Sequence, residues 1–375
     1  PHRFRIKASE RYPTGPPAQP GIVAHGVALK PGKPICLAVN QGKPVVILPG
    51  FPTSAIFTFH EFVAPVLRAL AGLPPARTAH VPATVPLRIN SQRGRKEFVL
   101  VSLVQRADGL AAYPIGKGSG SVTTFSCADG FIAIDQHDEL LEPGAQVDVH
   151  LLDRALEPAD LVFIGSHCVG LDVLLSALRQ RGYTAKTLYV GSNGGLRAAR
   201  RGECDLAGVH LLDPETGEYN RPFLTEELRL IPGYGRMQGV MFRKGDPRFD
   251  GRSASEAIAA AVSDRDCWMV NRNAGSGTRI VIDKLLGGAR PAGYAIQARS
   301  HNAVAAAVAQ GRADWGIGIE SVARMAGLGF LPVQQERYDF IVPADRWERE
   351  SVQAFRQVIQ SDPVRSRLQG MGFLL

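Results

Sequence analysis

From residue 161 onward, short apolar runs alternate with helical stretches, and this alternation restricts the fold more than any other feature of the chain. LVFIGS (161–166) reads as a buried strand, LDVLLSALRQRG (171–182) as an amphipathic helix ending in glycine, and TLYVGS (187–192) as a second strand. NGGLRAARRGE (193–203) reads as helical and DLAGVHLL (205–212) as a third strand. The rhythm returns in ASEAIAAAVS, CWMVNR, SGTRIVIDKLL, HNAVAAAVAQG, DWGIGI and YDFIVP, with a last helix from about 348. Strands alternating with helices predict βαβ units and a parallel sheet. Two α/β lobes of this kind, with the chain crossing between them and back, leave a cleft.

Other parts of the chain have a different texture. Residues 78–152 read as all-β, with HVPATVPLRI, KEFVLVSLVQ, LAAYPI, FIAIDQ and QVDVHLL as short alternating runs between turns, which predicts a small barrel or sandwich. Residues 21–75 follow a strand–loop–strand–loop–helix order and close on GLPPAR, where glycine and two prolines end the helix. DRALEPAD (153–160) reads as a polar linker. Residues 1–20 are basic and proline-rich without an apolar centre, unlike a secretory signal. The first strand then arrives as though in mid-domain, so the sequence is expected to be a fragment of a longer protein.

The net charge of +8 is spread thinly and few aromatics accompany it, which argues for small anions as partners and against nucleic acid. Five cysteines, odd in number and without a CxxC spacing, fit reduced thiols in the cytoplasm and argue against a disulfide framework or a zinc site. No apolar stretch approaches the length of a membrane span.

Two proline-glycine loops carry chemistry near the start. KPGKP (30–34) places Lys30 and Lys33 on a stiff turn, and LPGFPTSA (48–55) leads into a helical pattern that opens with Thr53 and Ser54. A glycine turn before a helix start offers backbone N–H groups and the positive end of the helix dipole, so the pair predicts an oxyanion cradle. In the later α/β part, candidates gather at the carboxyl ends of strands, where open sheets bind ligands. They are Ser166 and His167, then Ser192, Asn193 and Gly194. Arg272 and the NAGSGTR segment follow, with Ser276, Gly277, Thr278 and Arg279. Glu320, after the strand WGIGI, is a further candidate for the cleft. His137, Asp138 and Glu139 read as a solvated turn and DPETGEYNRP (213–222) as a lid or a long connection, while Asp314 and Glu320 bracket the strand WGIGI, so that Glu320 faces either the cleft or the surface. No metalloprotease helix, Walker-type loop or serine-triad order is present, and nothing reads as covalent catalysis.

GVALKPGKPICLAV, GKPVVILPGFPTSAIFTFHEFVAPVLRALAG and IGKGSGSVTTFSCADGFIAI together resemble the molybdopterin molybdenumtransferase family, the MoeA and gephyrin E-domain type, over about 25–152. The resemblance implies that residues 21–75 are the C-terminal part of a molybdopterin-binding α/β domain and 78–152 the β-domain that follows it. It implies that Lys30, Lys33, Pro49, Gly50, Pro52, Thr53 and Ser54 hold or shape a site for adenylylated molybdopterin. Gly118, Ser119, Ser121, Thr123 and Ser126 would join them from the β-domain. The implied reaction inserts molybdate or tungstate into the dithiolene, releasing AMP with magnesium assisting, and the implied assembly is a homodimer. Phe51 stands where most of that family has asparagine, and the family's upstream acidic motifs, which hold its metal, have no counterpart here. The chain alone is therefore expected to be inactive.

Residues 159–375 resemble the type II periplasmic-binding-protein fold, also used by LysR-type effector domains, with lobe A at about 159–236 and 338–375 and lobe B at about 237–337. NAGSGTR is similar to the loops of binding proteins for phosphate and tungstate. The expected architecture is thus multidomain α/β plus β. The expected function is molybdenum cofactor biosynthesis, with a C-terminal domain that captures an oxyanion. Two alternatives stay open: a regulatory module sensing a cofactor intermediate or an organic effector, and a scaffold without catalysis.

Overall fold

The structure, a computed structural model, describes residues 21–75, 79–116, 122–152, 159–274 and 276–375. The chain divides into two compact units, Pro1–Glu157 and Pro158–Leu375.

In the first unit, strands β1 (Ile22–His25), β3 (Cys36–Asn40) and β4 (Lys43–Ile47) form an antiparallel sheet, with the two-residue strand β2 (Leu29–Lys30) set apart from it. Pro52 at the first position starts α1 (Pro52–Thr58), since its fixed φ suits a helix start and its missing N–H costs nothing there. One π turn over Phe59–Val63 leads to α2 (Ala64–Leu70). The following segment contains β5 (His80–Thr84), β6 (Ile89–Asn90), β7 (Lys96–Arg106), β8 (Gly109–Pro114), α3 (Val122–Ser126), β9 (Gly130–Ile134), β10 (Leu140–Leu141) and β11 (Gln146–Leu151). Its sheet runs β2-β7-β8-β5-β11-β9, and β9 pairs back onto β7, so the sheet closes as a barrel. Closure removes the free edges of an all-β segment, and Val85, Val101, Ala112 and Val149 fill the interior. Two phenylalanines from the flanking parts, Phe57 of α1 and Phe98 of β7, stack at 4.9 Å.

The second unit opens with β12 (Leu161–Gly165), α4 (Val169–Gln180), β13 (Ala185–Tyr189), α5 (Gly191–Arg200) and β14 (Ala207–Val209). Along α4, Leu171, Leu174, Leu175 and Leu178 recur at helical spacing and are buried, which is the apolar stripe that docks this helix. Strands β12 and β13 are parallel, and β12 bridges in parallel to Leu206 beside β14. Where those strands approach, a Cβ on Gly165 would sit 2.6 Å from the backbone of Gly208, so only glycine fits.

The chain then enters β15 (Leu228–Phe242), α6 (Ala254–Ser263), β16 (Met269–Arg272), α7 (Gly277–Leu286), β17 (Gln297–Ala298), α8 (His301–Ala309), β18 (Trp315–Ile319), α9 (Glu320–Met325) and β19 (Gly329–Pro343). Helices α10 (Glu350–Gln360) and α11 (Asp362–Gly370) finish it. Caps explain several boundaries: Ser253 and Glu256 form a capping box before α6, and Ser276 and Ser300 cap α7 and α8.

The main sheet runs β14-β19-β15-β18-β16-β17. The sequence reading predicts a short strand at YDFIVP, whereas β19 spans fifteen residues and pairs antiparallel with the equally long β15. Strand β14 pairs with β19 at 339–341, and β18 pairs with β15 at 238–242. Between those stretches Gly235, Arg236 and Met237 pair with Arg337, Glu336 and Gln335 of β19, and Gly235 also bridges to Leu374. These two strands therefore join two α/β halves, and their central residues lie where the halves meet. Among the described residues, no helix is long and apolar enough to cross a membrane.

Candidate functional site

A cleft of about 960 Å³ opens in the second unit, and the ends of strands from both halves line it. From one side come Ser166 and His167 after β12, Ser192, Asn193 and Gly194 in the first turn of α5, and His210 after β14. From the other side come Arg272 and Asn273 at the end of β16, Ser276, Gly277 and Thr278 at the start of α7, and Ser300 and His301 at the start of α8. Helices α4, α5, α7 and α8 thus all open toward the cleft, and α4 and α5 have no side-chain cap on their first N–H groups. Four positive dipole ends directed at one space favour an anion there.

The floor is charged. Arg236, 1 % exposed, contacts Oε1 of Glu336 through Nε and lies with its guanidinium carbon 5.1 Å from the centre of the Tyr338 ring. Its two terminal nitrogens have no hydrogen-bond partner among the described residues. Gln238 Nε2 donates to Oε2 of Glu336. Burial raises the carboxyl of Glu336, but Arg236 and His210 outweigh it and hold the group well below the usual carboxylate range. The second cation, Arg272, donates through Nε to the Ala298 carbonyl at 3.2 Å and through Nη2 to the Arg299 carbonyl at 3.3 Å, while Nη1 lies 3.2 Å from both ring nitrogens of His301. Burial, reinforced by Arg236, lowers Arg272 to about 10, so it stays charged at neutral pH. Burial and the two arginines push His301 well down, leaving it neutral. Two cations against one carboxylate leave the floor with one net positive charge.

His210 links this floor to the strand ends. Its Nε2 lies 3.0 Å from Oγ of Ser166, its backbone N–H donates to Oγ of Ser192 at 3.1 Å, and its ring stacks on Tyr338. Its Nδ1 is 3.3 Å from Oε2 of Glu336, a close polar contact set off the line of a good hydrogen bond. At the rim, His167 pairs with Asp172 at 3.1 Å and meets the ring of Tyr189 edge-on. The polar loop 213–222 supplies Pro214 and Tyr219 to the wall.

Nine predicted residues, Ser166, His167, Ser192, Asn193, Gly194, Arg272, Ser276, Gly277 and Thr278, line this one cleft. Arg279 and Glu320 do not. The guanidinium of Arg279 turns to Asp283 at 2.8 Å and to the hydroxyl of Tyr294, because an i,i+4 carboxylate on its own helix is the nearer partner. Glu320 pairs with Arg324 at 2.6 Å along α9, and Asp314 is taken up by Arg243 and Arg248. The sequence reading missed His210, Arg236, Gln238, Ser300, His301 and Glu336. A signal was there: Arg236 and Gln238, like Gln334 and Glu336, are polar residues two apart along a strand, hence on one face.

The first-unit loops are built differently from the expectation. The N-cap of α1 is Phe51 and makes no side-chain bond, while Thr53 and Ser54 are buried, so neither hydroxyl caps the helix start. Lys30 is bound to Glu97 at 3.0 Å, as β2 pairs alongside β7. Gly32 is required there, since a Cβ would meet the Thr58 methyl at 2.5 Å. Lys33, Gly50 and Pro52 are exposed and Pro49 is buried, and Ser126 is exposed at the end of α3. Gly118, Ser119 and Ser121 lie outside the described residues, as does the side chain of Thr123. The turn at His137, Asp138 and Glu139 is exposed. Among the described residues there is no cluster of three or more His, Cys, Asp or Glu that could hold a metal ion, so the magnesium implied by the resemblance has no fitting ligand set among them.

Residues 82–152 match the MoeA C-terminal region (domain IV) family, and residues 175–360 match a PBP superfamily domain. An uncharacterized protein of Bacillus subtilis, YvgK, is 31% identical over 55% of this chain and 68% of its own length. Molybdopterin molybdenumtransferase 2 of Mycobacterium tuberculosis is 31% identical over 34% of this chain and 32% of its own length, so the chain spans about a third of that enzyme. An ABC-type phosphate transport receptor from Vibrio cholerae overlays 57% of this chain and 99% of its own with a TM-score of 0.42 at 15% identity. The chain is thus related to molybdopterin biosynthesis proteins through its barrel segment. It belongs to the family of Bacillus subtilis YvgK, and in it a MoeA-type C-terminal region precedes a PBP superfamily domain.

Proposed function

We propose that the cleft binds a tetrahedral oxyanion, molybdate or tungstate, and that the chain supplies or reports it for molybdenum cofactor assembly. The observation that carries this reading is the convergence of four helix N-termini and the buried cation Arg272 on one cleft, in a chain whose other unit is related to molybdopterin biosynthesis proteins. Arg272 supplies charge, Ser192, Ser276 and Ser300 supply hydroxyl hydrogens, and the helix starts supply backbone donors, a set matched to a desolvated anion. Insertion of the metal into adenylylated molybdopterin belongs to a larger assembly, a homodimer in this reading, with the first unit as part of the pterin wall. Titration calorimetry of the chain with molybdate, tungstate, sulfate and phosphate tests the proposal. Saturable one-to-one binding of molybdate or tungstate is the expected result, and no heat with any of the four overturns it.

The size of the cleft favours a second reading. About 960 Å³ lies at the upper end of the range for drug-sized ligands, and Tyr189, Tyr219 and Phe223 line it alongside the anion donors. A cofactor intermediate or organic effector, with a ring on these aromatics and an anionic group at Arg272, fills that space. A pterin monophosphate that displaces molybdate supports this sensing role; failure to compete removes it.

A further inference from the structure

Most hydroxyls in the cleft are arranged as donors. Ser192, Ser276 and Ser300 each accept a backbone N–H, from His210, Arg279 and Ala303 at 3.1, 3.2 and 3.1 Å, which leaves the hydroxyl hydrogen for the cleft. Ser166 is different. Its Oγ faces Nε2 of His210 at 3.0 Å, and the other ring nitrogen faces the Glu336 carboxylate at 3.3 Å. A bare lone pair on Nδ1 would sit 3.3 Å from a carboxylate oxygen that repels it, whereas a proton there is attracted even off the hydrogen-bond line, so the neutral ring carries its proton on Nδ1 and leaves Nε2 as an acceptor. Ser166 must then donate its single hydrogen to Nε2, and it turns only lone pairs toward the cleft. A tetrahedral anion with no proton of its own meets one repelling oxygen among the donors.

We infer that His210 controls which protonation state of an oxyanion the cleft accepts: a fully ionised dianion binds together with one proton, which His210 takes up from water on Nε2. With both ring nitrogens protonated, Nε2–H donates to Ser166 Oγ, and the hydroxyl hydrogen swings to the ligand. An anion that carries a proton needs no such uptake, because it can donate to Ser166 as the site stands. The inference rests on the oxyanion reading of the cleft.

The surroundings of His210 set the direction. Arg236 on β15, Arg272 on β16, His301 on α8 and the start of α7, where a Cβ on Gly277 would lie 3.5 Å from the ring, face it along with Ser166 and Ser192. From β19 come Glu336 and the stacked ring of Tyr338. Burial, then Arg236, lowers the imidazole below its ordinary value against the pull of Glu336, so the empty cleft holds it neutral. A dianion brought beside it raises it. Proton uptake that accompanies binding means affinity is greatest below the free-state value and falls as pH rises through neutral.

The test is titration calorimetry of the whole chain with sodium molybdate, tungstate and sulfate at about pH 8, in Tris and in HEPES, buffers of different ionisation enthalpy. The expected result is a heat that differs between buffers in proportion to one proton taken up per oxyanion. Affinity should weaken about tenfold per pH unit above neutrality. His210→Gln, which keeps a polar group near Ser166 but cannot titrate, should abolish both effects. Equal heats in the two buffers with a flat pH profile overturn the inference while leaving oxyanion binding intact, as does uptake that persists in His210→Gln. Absence of heat with every anion overturns the oxyanion reading itself. The buffer comparison on the unaltered protein decides even where the variant fails to fold.

Discussion

Two regions of this chain carry the same local recipe of glycine turn, cation and hydroxyls, and the fold spends their donors differently. The turn at 30–34 and the helix start at 52–54 offer lysines, a glycine and hydroxyls. In the fold Lys30 is paired with Glu97, the helix has seven residues, and its hydroxyls are buried without capping it. The cleft of the second unit draws on four helices of nine to twelve residues, whose starts open on a shared space with one net positive charge beneath. The contrast lies in how many hydrogens and charges the fold leaves unspent near each glycine turn.

The strongest way to break this comparison is to unbalance the floor. Glu336→Gln leaves the buried charge of Arg236 uncompensated and should cost about 3–5 kcal/mol of stability, read by urea denaturation. The same carboxylate makes a pH prediction. Its folded value lies below the unfolded one, so the stability it contributes is complete above the unfolded value of about 4.3 and is lost as pH falls below that. Acid titration of the unaltered protein should therefore show a loss that Glu336→Gln does not share.

Arg272→Gln should reduce oxyanion affinity by about 1.5–3 kcal/mol, since a charge-assisted partner is removed; calorimetry that finds unchanged binding would move the anion elsewhere. Ser192→Ala combined with Ser276→Ala removes two hydroxyl donors and should weaken binding by about 1 kcal/mol each, with about 1 kcal/mol of stability lost from the α7 cap as well. On the other side of the comparison, Lys30→Ala should lower stability by about 1 kcal/mol, because Glu97 keeps its bond from Ser91 at 2.9 Å, and should leave anion binding to the second unit unchanged. Glu320→Ala, which loses an exposed i,i+4 pair, should change stability by about 0.3–0.5 kcal/mol and binding not at all.

Much of the fold was legible from residue patterns. The leucine stripe of α4 and the alternation along 78–152 act between neighbours in sequence, and the elements formed where they predict. The full length of β15 and β19 was not legible. Polar residues such as Arg236, Gln238, Gln334 and Glu336 interrupt their apolar pattern, and pairing across the two strands, not propensity, carries them through. Strand-end positions put Ser166, Ser192 and Ser276 on the cleft wall, while Arg279 shows the limit: its spacing fitted an anion ligand, and Asp283 one turn on pairs with it.

By itself the sequence determined the alternation of elements, the helix starts and the small donors at them, because each depends on backbone geometry within a few residues. Only the tertiary structure decided which donors remain free. It brought Arg236, Glu336, His210 and Ser166 together from distant strands, and burial there made each hydrogen and charge depend on its neighbour. In a low-dielectric interior a polar group is defined by its partner, and distant partners meet only when the chain has folded.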